Sequence, residues 1–462
     1  MGAPWMEVPD LDVTAVTTSR FHCTSAKIPP VMHGILDLKD YSGPLQRQLS
    51  PLDLSKDMLV ALVTEAARFY FGLVDAFWNS RVKENWGDKV AFEREDRVWE
   101  MNLKYNVLYL AEALDLGQST PVEKAIKIWQ LNPGVGLLLP VEIELIAPNV
   151  GITTCWNCKS IDFFLSRGEE MRLCDFCWRM EQPLIQLMGQ FFDSSMRCMP
   201  LRLLSPATIR CRKMSEEERR KANEPDCKWL YWVGDIKAGD RAGYVAARKK
   251  EAEAEGIPRE LKDYRGPVHA KLGMANFCKE TVAKVLIQVS RLIRIQDGQW
   301  RTLIAEKYGV ETAWERQEKV WGDVIPQICR FIPKALNSRG GTPIEQCLKA
   351  LQINPMFGLV NNCTFDLQSP DIGILSVYRC TTRDYFERQG GTIDLSHICG
   401  ETEQRLFQNY AQVFNPNIKV KPLKVPNSKH LANSGSLIGL TDRIDSKNEV
   451  NPVCQWEFRL SK

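Results

Sequence analysis

Residues 120–137 read TPVEKAIKIWQLNPGVGL, and residues 342–359 read TPIEQCLKALQINPMFGL. The two stretches lie 222 positions apart, and at that offset 25 of the 84 residues from 75 to 158 are identical to their counterparts. The chain therefore contains an internal repeat. A repeat of this length predicts two similar structural units, and it has to be recognised before single elements are assigned.

Both stretches predict a helix with a defined start and end. Thr120 is a good N-cap, Pro121 suits the first helical position, and Glu123 can hydrogen-bond back to the cap. The second copy keeps the same three residue types at the matching positions. The Asn132-Pro133 pair predicts the end of the helix, because proline cannot continue it.

Further matches extend the repeat on both sides. KDYSGP at 39–44 corresponds to KDYRGP at 262–267, and a gapped alignment continues to CKWLYW in the first copy and CQWEFR in the second. Apolar residues at helical spacing predict one helix over about 54–77 and another over about 95–116.

The pattern changes after the third helix. Val141, Ile143 and Leu145 alternate with glutamates, which predicts a strand. IDFFLSR after Cys158 predicts a short helix, and MPLRLL and CKWLYWVG predict strands. The predicted fold class is α+β, with two homologous repeats packed as a pseudo-dimer. Each repeat is a helical half followed by an antiparallel sheet with helices.

The predicted organisation has four parts. Residues 1–38 form an N-terminal arm, 39–232 the first repeat with its helical half and cysteine-rich half, 233–261 a charged connector, and 262–462 the second repeat. The connector contains ARKKEAEAEG, a charge run typical of a solvated helix face and not of a nucleic-acid patch.

Composition limits the class of protein. The 462 residues are 44% hydrophobic and 25% charged with a net charge of +3, so no nucleic-acid partner is indicated. No apolar run reaches the ~18 residues of a membrane span, and the first residues do not resemble a signal peptide. We therefore expect a cytoplasmic protein, where the 15 cysteines stay reduced and more often bind metal or react than form disulfides.

The cysteines predict a metal site in the first repeat. Cys155, Cys158, Cys174 and Cys177 have the C-x2-C-x15-C-x2-C spacing of a four-thiolate zinc site, which would be closed and structural. An iron–sulfur cluster accepts the same four thiolates. The remaining possibility is that no metal is bound.

The second copy offers a rival interpretation, because it has Val377 and approximately Thr402 where the first has cysteines. Three cysteines of each copy do match, and they form the rival sets Cys158, Cys174 and Cys227, and Cys380, Cys399 and Cys454. Three thiolates leave a fourth position open, as a catalytic zinc requires. Cys363 could complete a four-ligand set in the second copy. The alternative is that these cysteines are simply buried in the core.

Other cysteine chemistry is less well supported by the pattern. Neither CxxC follows the βαβ arrangement of a thioredoxin-like redox motif. His397 lies two residues before Cys399, but the copies share no histidine. Cys380 and Cys399 are nevertheless candidate catalytic residues.

Both copies also carry a D-x-x-W motif on the first long helix. Asp75 precedes Trp78, and Asp297 precedes Trp300, so acid and ring lie on one helix face. Asp75 and Asp297 are therefore candidate catalytic acids of an aromatic-lined pocket. The alternative is that the tryptophans are core residues and the aspartates hydrogen-bond locally.

The combination of D-x-x-W, E-x-x-G, V-W, C-x-S/T-x-x-F/Y-F, a later cysteine and a closing C-x-W-E-F resembles a family of uncharacterised cytosolic proteins of anaerobic bacteria and archaea. The resemblance covers about 40–232 and 263–462, and a single copy is usual in that family, so this chain looks like a fused tandem. The cysteine-rich half is loosely similar to 4-vinyl reductase and to L-2-amino-thiazoline-4-carboxylate hydrolase-like domains. That similarity implies an α+β domain with a pocket and thiol chemistry. The first copy departs from the pattern at its end, where CKWLYW stands.

These observations lead to a functional hypothesis with two alternatives. The leading hypothesis is a zinc protein that binds or transforms a small-molecule ligand in a pocket of the repeats, with metal-assisted hydrolysis as the reaction class. The first alternative is a non-catalytic accessory or interaction protein with a structural zinc, acting with a protein partner or as a homo-oligomer. The second is an iron–sulfur redox component.

Overall fold

The structure is a computed structural model, and it describes the chain in nine segments. These are residues 36–139, 141–158, 182–202, 215–235, 258–338, 340–359, 361–380, 398–425 and 452–461. Most of the predicted N-terminal arm, most of the connector, the short helix predicted after Cys158, and the candidate ligands Cys174 and Cys177 lie outside these segments.

The first half of the chain forms five helices and four strands within the described segments. The helices are α1 (Lys56–Arg68), α2 (Ala76–Leu114), α3 (Pro121–Gln130), α4 (Gln182–Phe192) and α5 (Glu216–Ala222), with a π-helical segment Phe69–Asp75 joining α1 to α2. The strands are β1 (Val141–Ala147), β2 (Val150–Cys155), β3 (Arg197–Arg202) and β4 (Cys227–Trp232).

The second half forms four helices and four strands in its described part. The helices are α6 (Lys279–Tyr308), α7 (Val310–Leu336), α8 (Pro343–Gln352) and α9 (Glu403–Phe414), and the π-helical turn Ile398–Thr402 leads into α9. The strands are β5 (Asn362–Ser369), β6 (Ile372–Arg379), β7 (Ile418–Lys424) and β8 (Cys454–Leu460). The predicted mixture of helices and antiparallel sheets, the α+β class, is confirmed.

The predicted start of α3 is confirmed by its hydrogen bonds. The Thr120 hydroxyl accepts from the Glu123 amide at 3.2 Å, and the Glu123 carboxylate accepts from the Thr120 amide at 2.8 Å, which forms a capping box. At the start of α8 the cap is made on one side only. Glu345 there accepts from the Leu45 amide at 3.0 Å, so it serves a contact with the first half.

Glycines interrupt the long helices at matching places. Gly87, inside α2, has φ +84° and ψ 169°, and Gly309, between α6 and α7, has φ +90° and ψ 157°. A residue with a Cβ is strained at such positive φ, so glycine is the residue that allows the turn. The predicted helices over 54–77 and 95–116 are therefore parts of a longer run with a π-helical segment and one break.

The two sheets have the same strand order and register. The first is β1-β2-β4-β3 and the second β5-β6-β8-β7, all antiparallel. The edge strands β3 and β7 also shift register just after a proline, at Pro200 and Pro422. In each half one helix pair packs on the sheet, α3 with α4 and α8 with α9.

The helices α1, α2, α6 and α7 pack together between the halves and build one continuous core. At its centre the rings of Trp78 and Trp300 are parallel, with centroids 6.1 Å apart. Further out, Trp86 stacks on Tyr308 at 4.0 Å. Both pairs join positions that the repeat alignment equates.

A loop of each half also packs against the other half. The loop that begins with KDYRGP lies against α3, where the Tyr264 hydroxyl donates to Gln130 at 2.8 Å. The Lys127 ammonium, buried in the same helix, donates to the carbonyl oxygens of Tyr264 at 3.1 Å and Gly266 at 2.7 Å. The loop then continues along β1, where the Ile143 amide donates to the Ala270 carbonyl at 3.2 Å.

The loop of the first half makes the corresponding contacts with α8. The Tyr41 hydroxyl donates to Gln352, and the buried Lys349 donates to the Gly43 carbonyl. Further along the loop, the Phe365 amide of β5 donates to a loop carbonyl at 2.9 Å. Helices α3 and α8 share a K-x-x-Q motif, and in each helix its lysine and glutamine hydrogen-bond with the loop of the opposite half.

Among the described residues, no helix combines the length and the apolar character that crossing a bilayer requires.

Candidate metal centre

Three cysteines of the first half meet at one end of its sheet. Cys155 is the last residue of β2 and pairs in register with Cys227, the first residue of β4. Paired residues of an antiparallel sheet point to the same face. The Cys155 side chain hydrogen-bonds with the thiols of both Cys158 and Cys227. The structure therefore places together two members of the local four-cysteine set, Cys155 and Cys158, and two members of the rival set, Cys158 and Cys227.

The surroundings of these thiols affect their ionisation. The hydrogen bond with Cys158 acts to lower the pKa of the Cys155 thiol, but the hydrogen bond with Cys227, burial and the nearby Asp226 carboxylate together raise that pKa well above its ordinary value. An isolated thiolate is therefore disfavoured here, and a cation would be required to stabilise the ionised form.

A buried ion pair fixes the loop that carries the CxxC motif. The Asp226 carboxylate accepts from the Cys158 amide at 2.7 Å and from Arg219 of α5 at 2.6 Å, while the Asp226 amide donates to the Cys155 carbonyl at 2.9 Å. Arg219 and Asp226 are 4% and 1% exposed, so the pair is desolvated and sensitive to loss of either partner. Sequence reasoning missed both residues, although an aspartate directly before Cys227 was an available signal.

The second half assembles cysteines at the corresponding end of its sheet. Cys363 lies near the start of β5, Cys380 directly follows β6, and Cys454 begins β8. Cys399 lies in the π-helical turn before α9. All four are buried. His397, the histidine nearest to Cys399 in sequence, lies outside the described segments.

Mutual electrostatic effects show which of these groups are neighbours. Burial raises the pKa of the Cys363 thiol well above its ordinary value, the Cys380 thiol adds to the increase, and Arg294 of α6 opposes it. Burial also raises the pKa of Cys454, with contributions from Glu403 and Cys380. Cys363, Cys380 and Cys454 are therefore close enough to affect one another's ionisation, and Glu403 and Arg294 lie within the same range.

Glu403 is a carboxyl group that acts electrostatically on the Cys363 and Cys454 thiols. It is the first residue of α9, and burial raises its pKa to about 7, against the opposing effect of Arg294. A carboxyl group with a pKa in this range can exchange a proton near neutral pH. No sequence motif singled out Glu403, and the corresponding position of the first half lies outside the described segments.

The side chains are not arranged as a finished ligand shell. Across the segments that the structure describes, no three histidine, cysteine, aspartate or glutamate side chains are placed as an ion would require. Cys174 and Cys177, the second pair of the four-cysteine set, lie outside those segments.

The two candidate aspartates lie at the centre of the helical core. The Asp75 carboxylate accepts from the indole N–H of Trp300 at 2.8 Å and of Trp99 at 3.0 Å. The Asp297 carboxylate accepts from Trp78 at 2.8 Å. Each aspartate of one half thus binds the D-x-x-W tryptophan of the other half.

Nearby side chains make these two sites unequal. Gln317 donates to the second oxygen of Asp297 at 2.6 Å. The equivalent position in the first half is Glu95, which hydrogen-bonds with Asp75 and accepts from Asn79 at 2.5 Å. Burial raises the pKa of Asp75 to about 6, although the hydrogen bonds from Trp300 and Trp99 act in the opposite direction.

We expect this asymmetry to appear in the pH dependence of stability. Because the folded protein holds the Asp75 proton more tightly than the unfolded chain does, the free energy of unfolding should fall as pH rises from about 4 to about 6. Glu95→Gln supplies the permanent donor that Gln317 provides in the other half. It should lower the pKa of Asp75 and flatten the dependence between pH 4 and 7, as measured by urea denaturation. Equal slopes in the variant and the parent would contradict this assignment.

We compared the chain with known proteins by sequence and by structure. No family model matches it, no curated protein matches it, and no solved structure matches it.

Proposed function

We propose that this chain is a cysteine-ligated zinc protein in which the metal joins the ends of the strands of a sheet. One observation carries the proposal, namely that the buried Cys155 thiol contacts both Cys158, of the same CxxC motif, and Cys227, of a different strand. A thiol cluster that joins separate elements of a reduced protein is typical of a metal site. An iron–sulfur cluster is the alternative occupant.

The donor chemistry fits zinc. Thiolate sulfur is a preferred ligand of this ion, and four thiolates give a closed tetrahedral site. Cys155, Cys158 and Cys227 would supply three ligands, and Cys174 or Cys177 the fourth. The ion would supply positive charge at a place where burial disfavours bare thiolates, and it would tie β2, β4 and the segment after Cys158 together.

We propose a non-catalytic binding or interaction role for the protein as a whole. Asp75 and Asp297, the candidate acids, are engaged by tryptophans of the opposite half, which supports a role in holding the halves together. Cytoplasmic localisation belongs to the same proposal. Its support is that the cysteines within the described segments form no disulfide, as expected in a reducing compartment.

We also propose that the halves are homologous repeats that pack as a pseudo-dimer, and that the family resemblance of the cysteine motifs reflects common descent. The support is the matching register of the two sheets and the reciprocal loop contacts. In an isologous interface each contact occurs twice with the roles of the partners exchanged. The pairs Trp78–Asp297 and Trp300–Asp75 have this property.

A small-molecule enzyme is the second candidate function, with metal-assisted hydrolysis as its reaction class. The observation that favours it is Glu403, whose pKa of about 7 places a proton-exchanging group next to the thiols of the second half. A catalytic zinc keeps one position open to an outside ligand, whereas a structural zinc does not. Replacing zinc by Co²⁺ and adding azide distinguishes the two, because azide changes the visible spectrum only of an open site.

The proposed zinc is tested by elemental analysis of protein purified without oxygen. We expect bound zinc, and we expect Cys155→Ser and Cys227→Ser each to release one ion per chain and to lower the melting temperature. Cys198→Ser is the matched control, since Cys198 is a buried cysteine of the same sheet that lies on β3. Bound iron with visible absorption would show that the site holds an iron–sulfur cluster and not zinc. Protein without any metal would refute the proposal. If Cys227→Ser keeps the ion, the site is the local set of two CxxC pairs.

A further inference from the structure

The helical core of the first half contains three polar side chains that contact one another. Tyr70 lies in the π-helical segment, and Asn102 and Asn106 lie one turn apart on α2. The amide groups of Asn102 and Asn106 both donate to the Tyr70 hydroxyl, at 2.8 and 2.6 Å. All three side chains are fully buried. These three residues, the polar cluster, are therefore shielded from bulk solvent.

The second half has apolar residues at the corresponding positions. At the repeat offset of 222 they are Leu292, Val324 and Ile328, and all three are buried. The second half therefore fills this place with hydrocarbon side chains alone. Polar side chains in a core cost free energy unless their donors and acceptors are paired. The polar cluster is thus not a requirement of helix packing, and its chemistry needs a separate explanation.

The first half also has one residue more than the second in this part of the chain. The N-cap of the first long helix is Ser55 in one copy and Cys278 in the other, and the distance from it to the shared aspartate is longer by one position in the first copy. The π-helical segment Phe69–Asp75 accommodates the additional residue. Single π-helical turns inside α-helices are frequent at functional sites. The insertion and the polar cluster therefore occur together, in the same half.

The hydrogen bonds of the polar cluster leave two acceptors over. Within the described part of the chain, the Oδ1 atoms of Asn102 and Asn106 have no hydrogen-bond partner. An unpaired buried acceptor costs about 1–3 kcal/mol. Residues one turn apart on a helix have their Cβ atoms about 5–6 Å from each other, and both amide nitrogens are held at one hydroxyl oxygen. The two free oxygens are therefore close enough for one small molecule to donate to both.

We infer that the polar cluster binds one small hydrogen-bond donor between the Oδ1 atoms of Asn102 and Asn106. The donor has a single heavy atom and is a water molecule or an ammonium ion, since each of these donates two or more hydrogen bonds. A buried water takes about 30 Å³, and the side chains of the polar cluster together have a smaller volume than leucine, valine and isoleucine. The inference goes beyond the proposed function and is independent of the proposed metal site, because no cysteine takes part.

The charges near the polar cluster suit a donor. Burial raises the pKa of the Tyr70 hydroxyl, and the carboxylate of Asp75, at the end of the same π-helical segment, adds to the increase. A nearby carboxylate attracts the hydrogen atoms of a donor. In the second half burial raises the pKa of Asp297 and Arg301 opposes the increase, whereas the first half has Asn79 at the position of Arg301. Ammonium would supply the positive charge that this arginine provides in the second half.

The site is tested by high-resolution crystal structures of two full-length proteins. One is the parent, and the other carries Tyr70→Leu, Asn102→Val and Asn106→Ile, which are the residues of the second half. We expect one density peak within hydrogen-bonding distance of both asparagine oxygens in the parent and no peak there in the triple variant. Absence of the peak from the parent, or its retention in the triple variant, would overturn the inference. If circular dichroism shows that the triple variant is unfolded, Asn106→Ile alone takes its place.

Thermal melting then identifies the donor. The melting temperature is compared in ammonium chloride and in potassium chloride at equal concentration, because the potassium ion has a similar radius but no N–H group. A higher melting temperature in ammonium chloride that is lost in the triple variant would assign ammonium, since a ligand of the folded state stabilises it by mass action. Equal melting temperatures, or an ammonium effect that the triple variant retains, would assign the peak to water.

Discussion

Trp300→Ala is expected to lower the free energy of unfolding by about 3–5 kcal/mol, the usual cost of removing a buried aromatic side chain. Trp300 is fully buried, its ring lies parallel to that of Trp78, and its indole N–H donates to Asp75. The substitution therefore creates a cavity at the contact between the halves and removes one donor from a buried carboxylate. Denaturation followed by circular dichroism at constant pH measures the loss.

Two further variants divide this effect into its parts. Trp300→Phe keeps most of the packing but removes the indole donor, so we expect a smaller loss of about 1–3 kcal/mol. In the double variant Trp78→Ala with Trp300→Ala the losses should not be additive, because the two rings contact each other. A loss below about 1 kcal/mol for Trp300→Ala would show that this centre does not hold the halves together.

Lys127→Met should have the second largest effect, with an expected loss of about 2–4 kcal/mol from buried acceptors that no longer have a donor. The Lys127 ammonium donates to Ser119 at 2.8 Å and to the two loop carbonyls of Tyr264 and Gly266. Methionine has a similar length and fills the same space, so the loss reports mainly on these hydrogen bonds.

The matched controls are two other lysines. Lys349 has the corresponding role in α8, and Lys349→Met should therefore be destabilising to a similar degree. Lys89, with 90% of its side chain exposed, makes only a loose ion pair, so Lys89→Met should be close to neutral. If all three substitutions cost the same, the buried lysines have no special role in holding the loops.

The parts of the fold that the sequence predicts well are those governed by neighbouring residues. The capping box at Thr120 and the alternation along β1 follow from residues within a few positions, and both are found. The glycine break in α2 was not predicted, although Gly87 and Gly309 match in the repeat. Gly87 lies between the two helices that the apolar pattern predicts, and a positive φ at a glycine leaves no trace in that pattern.

The candidate site was less predictable, because its contacts join residues far apart in the chain. The Lys127–Gly266 hydrogen bond links positions 139 residues apart, and the Trp78–Asp297 hydrogen bond links positions 219 apart. The D-x-x-W motif is therefore visible in the sequence, but from the sequence alone both a pocket role and a core role were open for it. Asp226 was missed because its function, holding the Cys158 loop, is visible only once β4 lies beside β2.

The exchanged loops also have a consequence for the order of events during synthesis. When the ribosome releases Tyr264, its partner Gln130 is already made, whereas Tyr41 must wait for Gln352, which is 311 residues further along. At ~5–20 residues per second this delay is roughly 15–60 s. For most of that time α6 and α7 have not been made, so the apolar face of α1 that they cover is open to chaperones and to other nascent chains. Two contacts that are equivalent in the folded protein thus form at different times. The Tyr264 loop can bind α3 early, whereas the Tyr41 loop binds α8 late.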